Sequence, residues 1–208
     1  MGIKIVACSD THRSHWEVKV PEGDVFIFAG DNDITDLITL HDFNDWLGTI
    51  KTKDKIVIGG NHDRYLEFLG KEECKRLLTN CIYLENEFID LKGLKIFGSP
   101  YSVEFNRWAF MRYDNDLKEI WDTIPLETEI VVTHTMPYGI LDGVLPRMQS
   151  VGSLTLRDAV KRVYPYIQIG GHLHEGYGQY TDGKTDYYNV SVMDENYQIV
   201  NPCTIIDV

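Results

Sequence analysis

Short runs of β-branched and other apolar residues recur along the chain, and each ends abruptly at Gly, Asp, Asn or His. Brief runs that are apolar throughout are typical of strands buried on both faces. The pattern predicts five such strands, over residues 3–8, 25–29, 55–58, 130–132 and 167–169. Polar loops follow all of them.

Between these strands, apolar residues recur at helical spacing. One run covers residues 40–50 and follows a Thr39-x-x-Asp42 capping signal, and another covers residues 156–163 and stops before Pro165. We predict a third helix that begins after Asp63 and continues to about residue 78.

The middle and end of the chain contain consecutive strands. Residues 87–91 and 94–97 flank Lys92-Gly93 and predict a hairpin, and residues 185–192 and 204–208 predict two more strands. Mixed βα units and consecutive strands favour sheets that pack on each other under outer helices. No repeat, low-complexity tract or linker divides the chain, so we expect a single domain over residues 1–208.

Composition narrows the function classes. The 208 residues include 20 Lys and Arg against 32 Asp and Glu, which gives a formal charge of −12. This acidity argues against a protein that grips extended nucleic acid or an anionic membrane. No apolar run approaches the roughly 18 residues of a membrane span, and the four cysteines form no C-x-x-C pair. We expect a cytoplasmic protein without a membrane segment.

The histidines are placed unusually. Five of the seven follow directly on an apolar run, as do two aspartates and an asparagine: His12, His62, His134, His172, His174, Asp10, Asp31 and Asn61. Ligand sites in α/β folds collect at the carboxyl ends of strands. These side chains could therefore assemble one metal site.

Several of these motifs have an ordinary structural alternative when taken alone. Asp10-Thr11-His12 and Gly30-Asp31 could be turns or helix caps, and His134 could be a hydrogen-bonded structural histidine. The motifs over residues 59–63 and 170–174 are more informative, because they place several metal-binding side chains next to one another. All five motifs together are difficult to explain as turns.

The ordered set D-x-H, G-D, G-N-H-D, T-H and G-H-x-H resembles that of the calcineurin-like metallophosphoesterases. The resemblance covers nearly the whole chain and is closer still to the metallophosphoesterase-domain-containing subgroup, through residues 43–48, 55–58, 98–100, 108–110, 174–178 and 201–202. It implies an α/β fold in which a two-sheet β-sandwich is flanked by helices, as four α-β-β-α layers.

The resemblance also implies roles for individual residues. Asp10, His12 and His174 match ligands of a first metal, and Asp31 matches a carboxylate that bridges two metals. Asn61, His134 and His172 match ligands of the second metal, while His62 matches a catalytic histidine beside the scissile phosphate. Two divalent ions are implied, and the oxygen and nitrogen ligands favour Mn, Fe or Zn.

The sequence departs from the protein serine/threonine phosphatases at one motif. Those enzymes support the catalytic histidine with a carboxylate three residues after the bridging Asp, followed by Arg, whereas this chain has Ile34 and Thr35. Asp33 and Asp63 are the remaining candidates for that support.

Candidate substrate contacts lie beside the motifs. Arg13 and Arg64 could bind phosphate, although both could equally be surface arginines, and the aromatic segment around Trp108 could line a pocket or simply pack under a loop.

The resemblance therefore implies a dinuclear metal-dependent phosphodiesterase. It would hydrolyse small phosphodiesters, such as 2′,3′-cyclic nucleotides, through a metal-bridging hydroxide. The alternatives are a phosphomonoesterase or protein phosphatase, a nuclease, and a non-catalytic nucleotide-binding regulatory module. The expected partner is a small phosphate-ester or nucleotide substrate, and the sequence leaves the substrate, the metals and the oligomeric state open.

Overall fold

The computed structural model describes residues 2–208. Within that range the strands, in chain order, are β1 (Lys4–Cys8), β2 (Val25–Ala29), β3 (Asp54–Ile58), β4 (Ile82–Tyr83), β5 (Glu87–Leu91), β6 (Leu94–Ser99), β7 (Ser102–Val103), β8 (Met111–Arg112), β9 (Ile130–Thr133), β10 (Gly143–Val144), β11 (Gln149–Ser150), β12 (Ile167–Gly170), β13 (Gly178–Thr181), β14 (Asp186–Asn189) and β15 (Thr204–Asp207).

The helices alternate with these strands. They are α1 (Leu37–Thr49), α2 (Arg64–Leu69), α3 (Lys71–Leu77), α4 (Asp114–Trp121) and α5 (Leu154–Val163), with short 3-10 turns at His15–Glu17 and His174–Gly176.

Two large sheets organise the fold. The first has the order β15-β1-β2-β3-β4, and the second has the order β13-β14-β12-β9-β6-β5. Strands β1 to β4 are parallel, and so are β6, β9, β12 and β14, while β15, β13 and β5 are antiparallel additions at the edges. The central strands of each sheet therefore end on the same side.

The sheets pack face to face under outer helices. Successive side chains of a strand point to opposite faces. Accordingly, Ile5 of β1 belongs to a core cluster with Ile96 and Val132 of the facing sheet, whereas Val6 belongs to a cluster that contains Phe43 of α1. Residues of β6, β9, α4 and α5 also contribute to this second cluster. The expected α-β-β-α layering is confirmed.

The apolar runs located the buried strands accurately. All five are present within one residue of the predicted ends, and the hairpin of β5 and β6 pairs Leu91 with Leu94 across Lys92-Gly93. The predicted strand over residues 185–192 is shorter, because regular pairing in β14 covers only Asp186–Asn189.

The predicted start of the first helix was wrong. Asp36, not Thr39, is its N-cap: the Asp36 carboxylate accepts a 2.8 Å hydrogen bond from the Thr39 backbone N–H, and the Asp36 backbone N–H donates to the Thr39 hydroxyl in return. Leu37 and Ile38 are exposed. The first turn therefore lacks the apolar periodicity on which the prediction depended.

The predicted helix after Asp63 is two helices. Gly70 separates α2 from α3 with φ +76°, a left-handed conformation that glycine adopts without strain. Helix α4 was not predicted, because its short sequence buries only Leu117 and Trp121.

Candidate active site

The carboxyl ends of both sheets' central strands converge on one region. Asp10 and Asp31 follow β1 and β2, Asn61 follows β3, and His134 and His172 follow β9 and β12. Parallel strands place their carboxyl ends at one edge of a sheet. Face-to-face packing of the two sheets brings the two sets of ends together.

Three of the predicted metal ligands form a first cluster, made of Asp10, His12 and His174, whose ligand atoms all lie within 4.8 Å of one another. The Nε2 atoms of the two histidines are 3.2 Å apart, and His174 Nε2 is 3.6 Å from Asp10 Oδ1. Asp10 is fully buried and accepts the His172 backbone N–H.

Hydrogen bonds fix both histidines of the first cluster. His12 Nδ1 lies 3.0 Å from Asp33 Oδ1, and His174 Nδ1 lies 2.8 Å from the Asp194 carbonyl oxygen. Since these partners accept, each Nδ1 donates its proton. With a metal ion in place of a proton on Nε2, each imidazole would be neutral and present its Nε2 lone pair to the ion. This arrangement fits a shared cation.

A second cluster contains Asp31, His134 and His172, again with ligand atoms within 4.8 Å. His134 Nδ1 donates to the Ala29 carbonyl oxygen at 2.9 Å, while its Nε2 faces Asn61 Oδ1 at 3.0 Å and Asp31 Oδ2 at 3.2 Å. Oxygen atoms of Asn61 and Asp31 therefore lie close to the His134 Nε2 atom. Their donor set also fits a divalent cation.

The two aspartates of the clusters have lowered pKa values. Burial acts to raise the pKa of Asp10, but the hydrogen bond and charge of His174 lower it overall. Burial acts in the same direction on Asp31, and the charge of His134 lowers the pKa of that carboxyl. Both carboxylates are ionised at neutral pH and prepared to bind a cation.

The pKa values of the cluster histidines shift in opposite directions. Burial opposes protonation of His134 and His174, yet the adjacent carboxylates Asp31 and Asp10 raise the pKa of each to about 9. Burial and the positive charge of His134 lower the pKa of His172 to about 3. The region therefore attracts protons at two positions where a metal ion could supply the positive charge instead.

His62 lies beside both clusters without belonging to the first or second one. Its Nδ1 is 3.0 Å from Asp33 Oδ1, and its backbone N–H donates to Asp31 Oδ1 at 2.8 Å. The Trp108 ring packs edge-on against the imidazole, with centroids 4.0 Å apart. The side chain is 22% exposed. These contacts hold His62 in one orientation with Nε2 free of Asp33.

The two candidate carboxylates have different positions. Asp33 contacts His12 and His62 through a single oxygen. Asp63 instead accepts the backbone N–H groups of Asp31, Asn32, Ile34 and Gly60. Asp33 therefore orients two histidines, whereas Asp63 ties the loop that carries Asp31 to the loop after β3.

Burial and the charge of Asp31 raise the pKa of Asp63 to about 7, against the opposing effect of its backbone hydrogen bonds. A cation near Asp31 would offset that charge. Asp63 would then be ionised while it accepts the backbone hydrogen bonds that hold the loop.

Strained backbone is concentrated here. Asp10, His12, Asp31, Asp33 and His172 all have positive φ, between 39° and 69°. Left-handed conformations cost non-glycine residues about 1–2 kcal/mol each and cluster at functional sites. Adjacent glycines permit the close approach: a Cβ on Gly60 or Gly171 would collide with the Asp31 or Asp10 carboxylate.

The candidate substrate residues lie at the edge of the site. The Arg64 guanidinium lies over the Trp108 ring, 5.7 Å from its centroid, and the same ring packs on His62. Arg13 is exposed next to His12. Sequence reasoning missed Tyr197, whose ring centroid is 4.7 Å from that of His12 and 5.2 Å from that of His174. No motif surrounds Tyr197.

All four cysteines are free thiols, and three of them, Cys8, Cys74 and Cys203, are buried. Among the described residues no helix is both long and apolar enough to cross a lipid bilayer.

Known proteins resemble this chain over most of its length. The model of the calcineurin-like phosphoesterase family matches residues 3–176. Human metallophosphoesterase domain-containing protein 1 is 39% identical, over 98% of this chain and 70% of its own length. UPF0046 protein T07D4.2 of Caenorhabditis elegans is 34% identical, over 99% of this chain and 60% of its own.

Solved structures share the fold. One crystal structure aligns with a TM-score of 0.71 at 16% identity, covering 100% of this chain and 99% of the other. TT1561 of Thermus thermophilus aligns with a TM-score of 0.61 at 14% identity, with the same coverage of both chains. Relations this distant in sequence concern the fold alone.

Proposed function

Because the chain belongs to the calcineurin-like phosphoesterase family, we propose that it is a dinuclear metal-dependent phosphodiesterase acting on small phosphodiesters such as 2′,3′-cyclic nucleotides. Membership of this family implies hydrolysis of phosphoric esters with divalent metals. One observation supports a dinuclear diesterase in particular: two three-residue clusters lie beside a histidine that a carboxylate orients.

We assign the ligands by cluster. Asp10, His12 and His174 would hold one divalent ion, and Asn61, His134 and His172 the other. Asp31 would contact both, because its Oδ2 faces His134 of the second cluster and its charge also raises the pKa of His12 and His174 in the first. The ions, Mn, Fe or Zn, would supply the positive charge that phosphate hydrolysis requires and would acidify a water molecule.

His62 has the position of a general acid. Its Nδ1 faces Asp33, so in the doubly protonated ring Nε2 is the atom that would give a proton to a departing alcohol oxygen. Trp108 prevents the ring from turning away from the clusters. Arg64, whose guanidinium lies over the Trp108 ring, would stabilise the Trp108 orientation or contact the phosphate.

The lining of the neighbouring cavity favours a diester over a monoester. Its described lining residues include three glutamates and neither Lys nor Arg. A phosphate monoester carries up to two negative charges at neutral pH and a diester carries one, so an acidic surrounding penalises the monoester more. The same reasoning disfavours a phosphoprotein or a long nucleic acid, whose further phosphates would need cationic contacts.

We also propose that residues 1–208 act as one domain and that the protein works in the cytoplasm. The core clusters include residues from β1 at one end to β15 at the other. The buried free thiols suit a reducing compartment.

The test is kinetics after reconstitution with each metal. We expect bis(p-nitrophenyl) phosphate and 2′,3′-cyclic AMP to be hydrolysed with a higher kcat/KM than p-nitrophenyl phosphate or single-stranded DNA. A monoester rate far above the diester rate would overturn the diesterase proposal. Absence of turnover with every metal would favour the non-catalytic binding module instead.

A further inference from the structure

A cavity of about 590 Å³ opens directly beside the two clusters. His172 and His174 form part of its wall, so a phosphate bound at the clusters would place one of its alcohol groups inside. The rings of Phe105 and Tyr197 stand against these histidines, with centroids 5.7 Å from His172 and 5.2 Å from His174 respectively. The cavity therefore contacts the alcohol part of the substrate.

Aromatic and aliphatic side chains form most of the cavity wall. Phe105 is 59% exposed and Tyr197 is 50% exposed, so both rings present accessible surface. Val103, Val144, Val151 and Leu173 complete the apolar part of the lining. Exposed aromatic rings of this kind bind either apolar groups or organic cations, which the face of the ring attracts.

The charges on the wall have one sign. Glu104, Glu175 and Glu195 line the cavity, and Lys and Arg are absent from its described lining. The Glu175 carboxylate is held there by a 3.1 Å hydrogen bond from the Leu145 backbone N–H. Carboxylates beside low-dielectric walls repel a second anionic group and attract a cation.

From these walls we propose that the cavity selects phosphodiesters whose alcohol group carries an organic ammonium, such as an ester of an amino alcohol. The ammonium would lie between the Phe105 and Tyr197 rings and be neutralised by the glutamates, while the phosphate occupies the clusters. This inference rests on the proposed function, because it names the substrate class of the same site.

The first experiment compares three p-nitrophenyl diesters that differ only in the charge of the second alcohol: choline, its uncharged carbon isostere 3,3-dimethylbutanol, and a carboxyalkyl alcohol of equal length. We expect kcat/KM for the choline ester to exceed that of the isostere by about tenfold, and the carboxylate to be the poorest substrate. Equal rates for the first two esters would overturn the inference and leave the diesterase proposal intact.

Variants locate the source of the preference. Glu104→Gln combined with Glu195→Gln should reduce the choline-to-isostere ratio toward one. Glu127→Gln is the control, because Glu127 is exposed and is not part of the cavity lining. If Glu127→Gln lowers the ratio as much, the preference comes from overall charge and the cavity is not its origin.

A binding measurement is independent of turnover. In an NMR titration of the metal-free protein, tetramethylammonium should shift signals of Phe105 and Tyr197, and the uncharged probe neopentyl alcohol should shift them less. Matching shifts for both probes would overturn the inference even if the diesters are hydrolysed. Selective tetramethylammonium shifts without any hydrolysis would refute the diesterase proposal while the cation cavity stands.

Discussion

The two candidate metal clusters and the cavity beside them differ in how the chain builds them. The cluster side chains follow strand ends, are mostly buried, and are fixed by hydrogen bonds such as that from His134 to the Ala29 carbonyl oxygen. Apart from His172 and His174, the cavity walls come from loops and the short strands β7 and β10, and Phe105 and Tyr197 are exposed. Rigid strand ends position the reacting groups, and the surrounding loops determine which substrates bind beside those groups.

The two regions should differ in their kinetic roles. Changes in the clusters should lower the rates of all substrates together, since each substrate presents the same phosphate. Changes in the cavity should alter the order of substrates with a smaller effect on the best rate. We therefore expect the greatest losses from cluster residues and the least from the cavity wall.

Asp31→Asn should be the most damaging substitution. Loss of the carboxylate removes a charge that faces His134 and the His62 backbone, so we expect loss of one bound metal ion and about a 10³-fold fall in kcat/KM for every diester. Metal analysis and kinetics measure both. Asp158→Asn, at an exposed position of α5, is the charge-matched control. Unchanged activity in Asp31→Asn would refute the ligand assignment.

His62→Gln should lower kcat by about 10²-fold while both metal ions remain bound. The loss should be greater for an alkyl leaving group than for p-nitrophenolate, because p-nitrophenolate departs without protonation. His41→Gln, on the exposed side of α1, is the control. An equal loss for both leaving groups would contradict the general-acid role.

Asp33→Ala should reduce activity by about tenfold and weaken binding of one metal ion of the two. Both effects follow from one contact, since the same Asp33 oxygen lies 3.0 Å from His12 and from His62. Asp33→Asn retains an acceptor oxygen and should lose less. If calorimetric metal titration shows no change in either binding event, Asp33 does not support metal binding through His12.

Tyr197→Leu should be the mildest change, a severalfold rise in KM for the preferred diester with kcat nearly retained. The ring stands at the cavity wall, 5.2 Å from His174, and makes no bond to the reacting phosphate in the proposed arrangement. Tyr180→Leu, exposed in β13 and away from the cavity, serves as the comparison. A loss in kcat equal to that of Asp31→Asn would mean that clusters and cavity are not separable.

Elements with a strong local pattern of apolar residues were predicted more accurately than elements without one. Buried strands were placed within one residue because the apolar runs are short, rich in β-branched residues and bounded by polar loops. The fold brings the motif residues at their ends together. The start of α1 and the break at Gly70 were missed. Both depend on caps and backbone angles that hydrophobic spacing does not report.

The carboxylate that supports His62 could be identified only from the structure. The sequence left Asp33 and Asp63 as equal candidates, and only the backbone angles of the loop after β2 decide between them. Asp33, at φ +59°, turns its carboxylate toward two histidines, while Asp63 is occupied by four backbone N–H groups. Tyr197 was unpredictable for a related reason, since its chain neighbours carry no motif.

The side chains that could bind metal can be read from the sequence alone, because they follow the ends of five strands, and parallel strands end at one edge of a sheet. Which oxygen faces which nitrogen, and which loops close around the clusters, became clear only in the folded chain. Those outcomes depend on left-handed backbone at residues such as Asp10 and His172, and on contacts such as that between His12 and His174, which lie 162 positions apart. Local sequence patterns carry no record of such distances, so the cavity and its acidic wall required the tertiary structure.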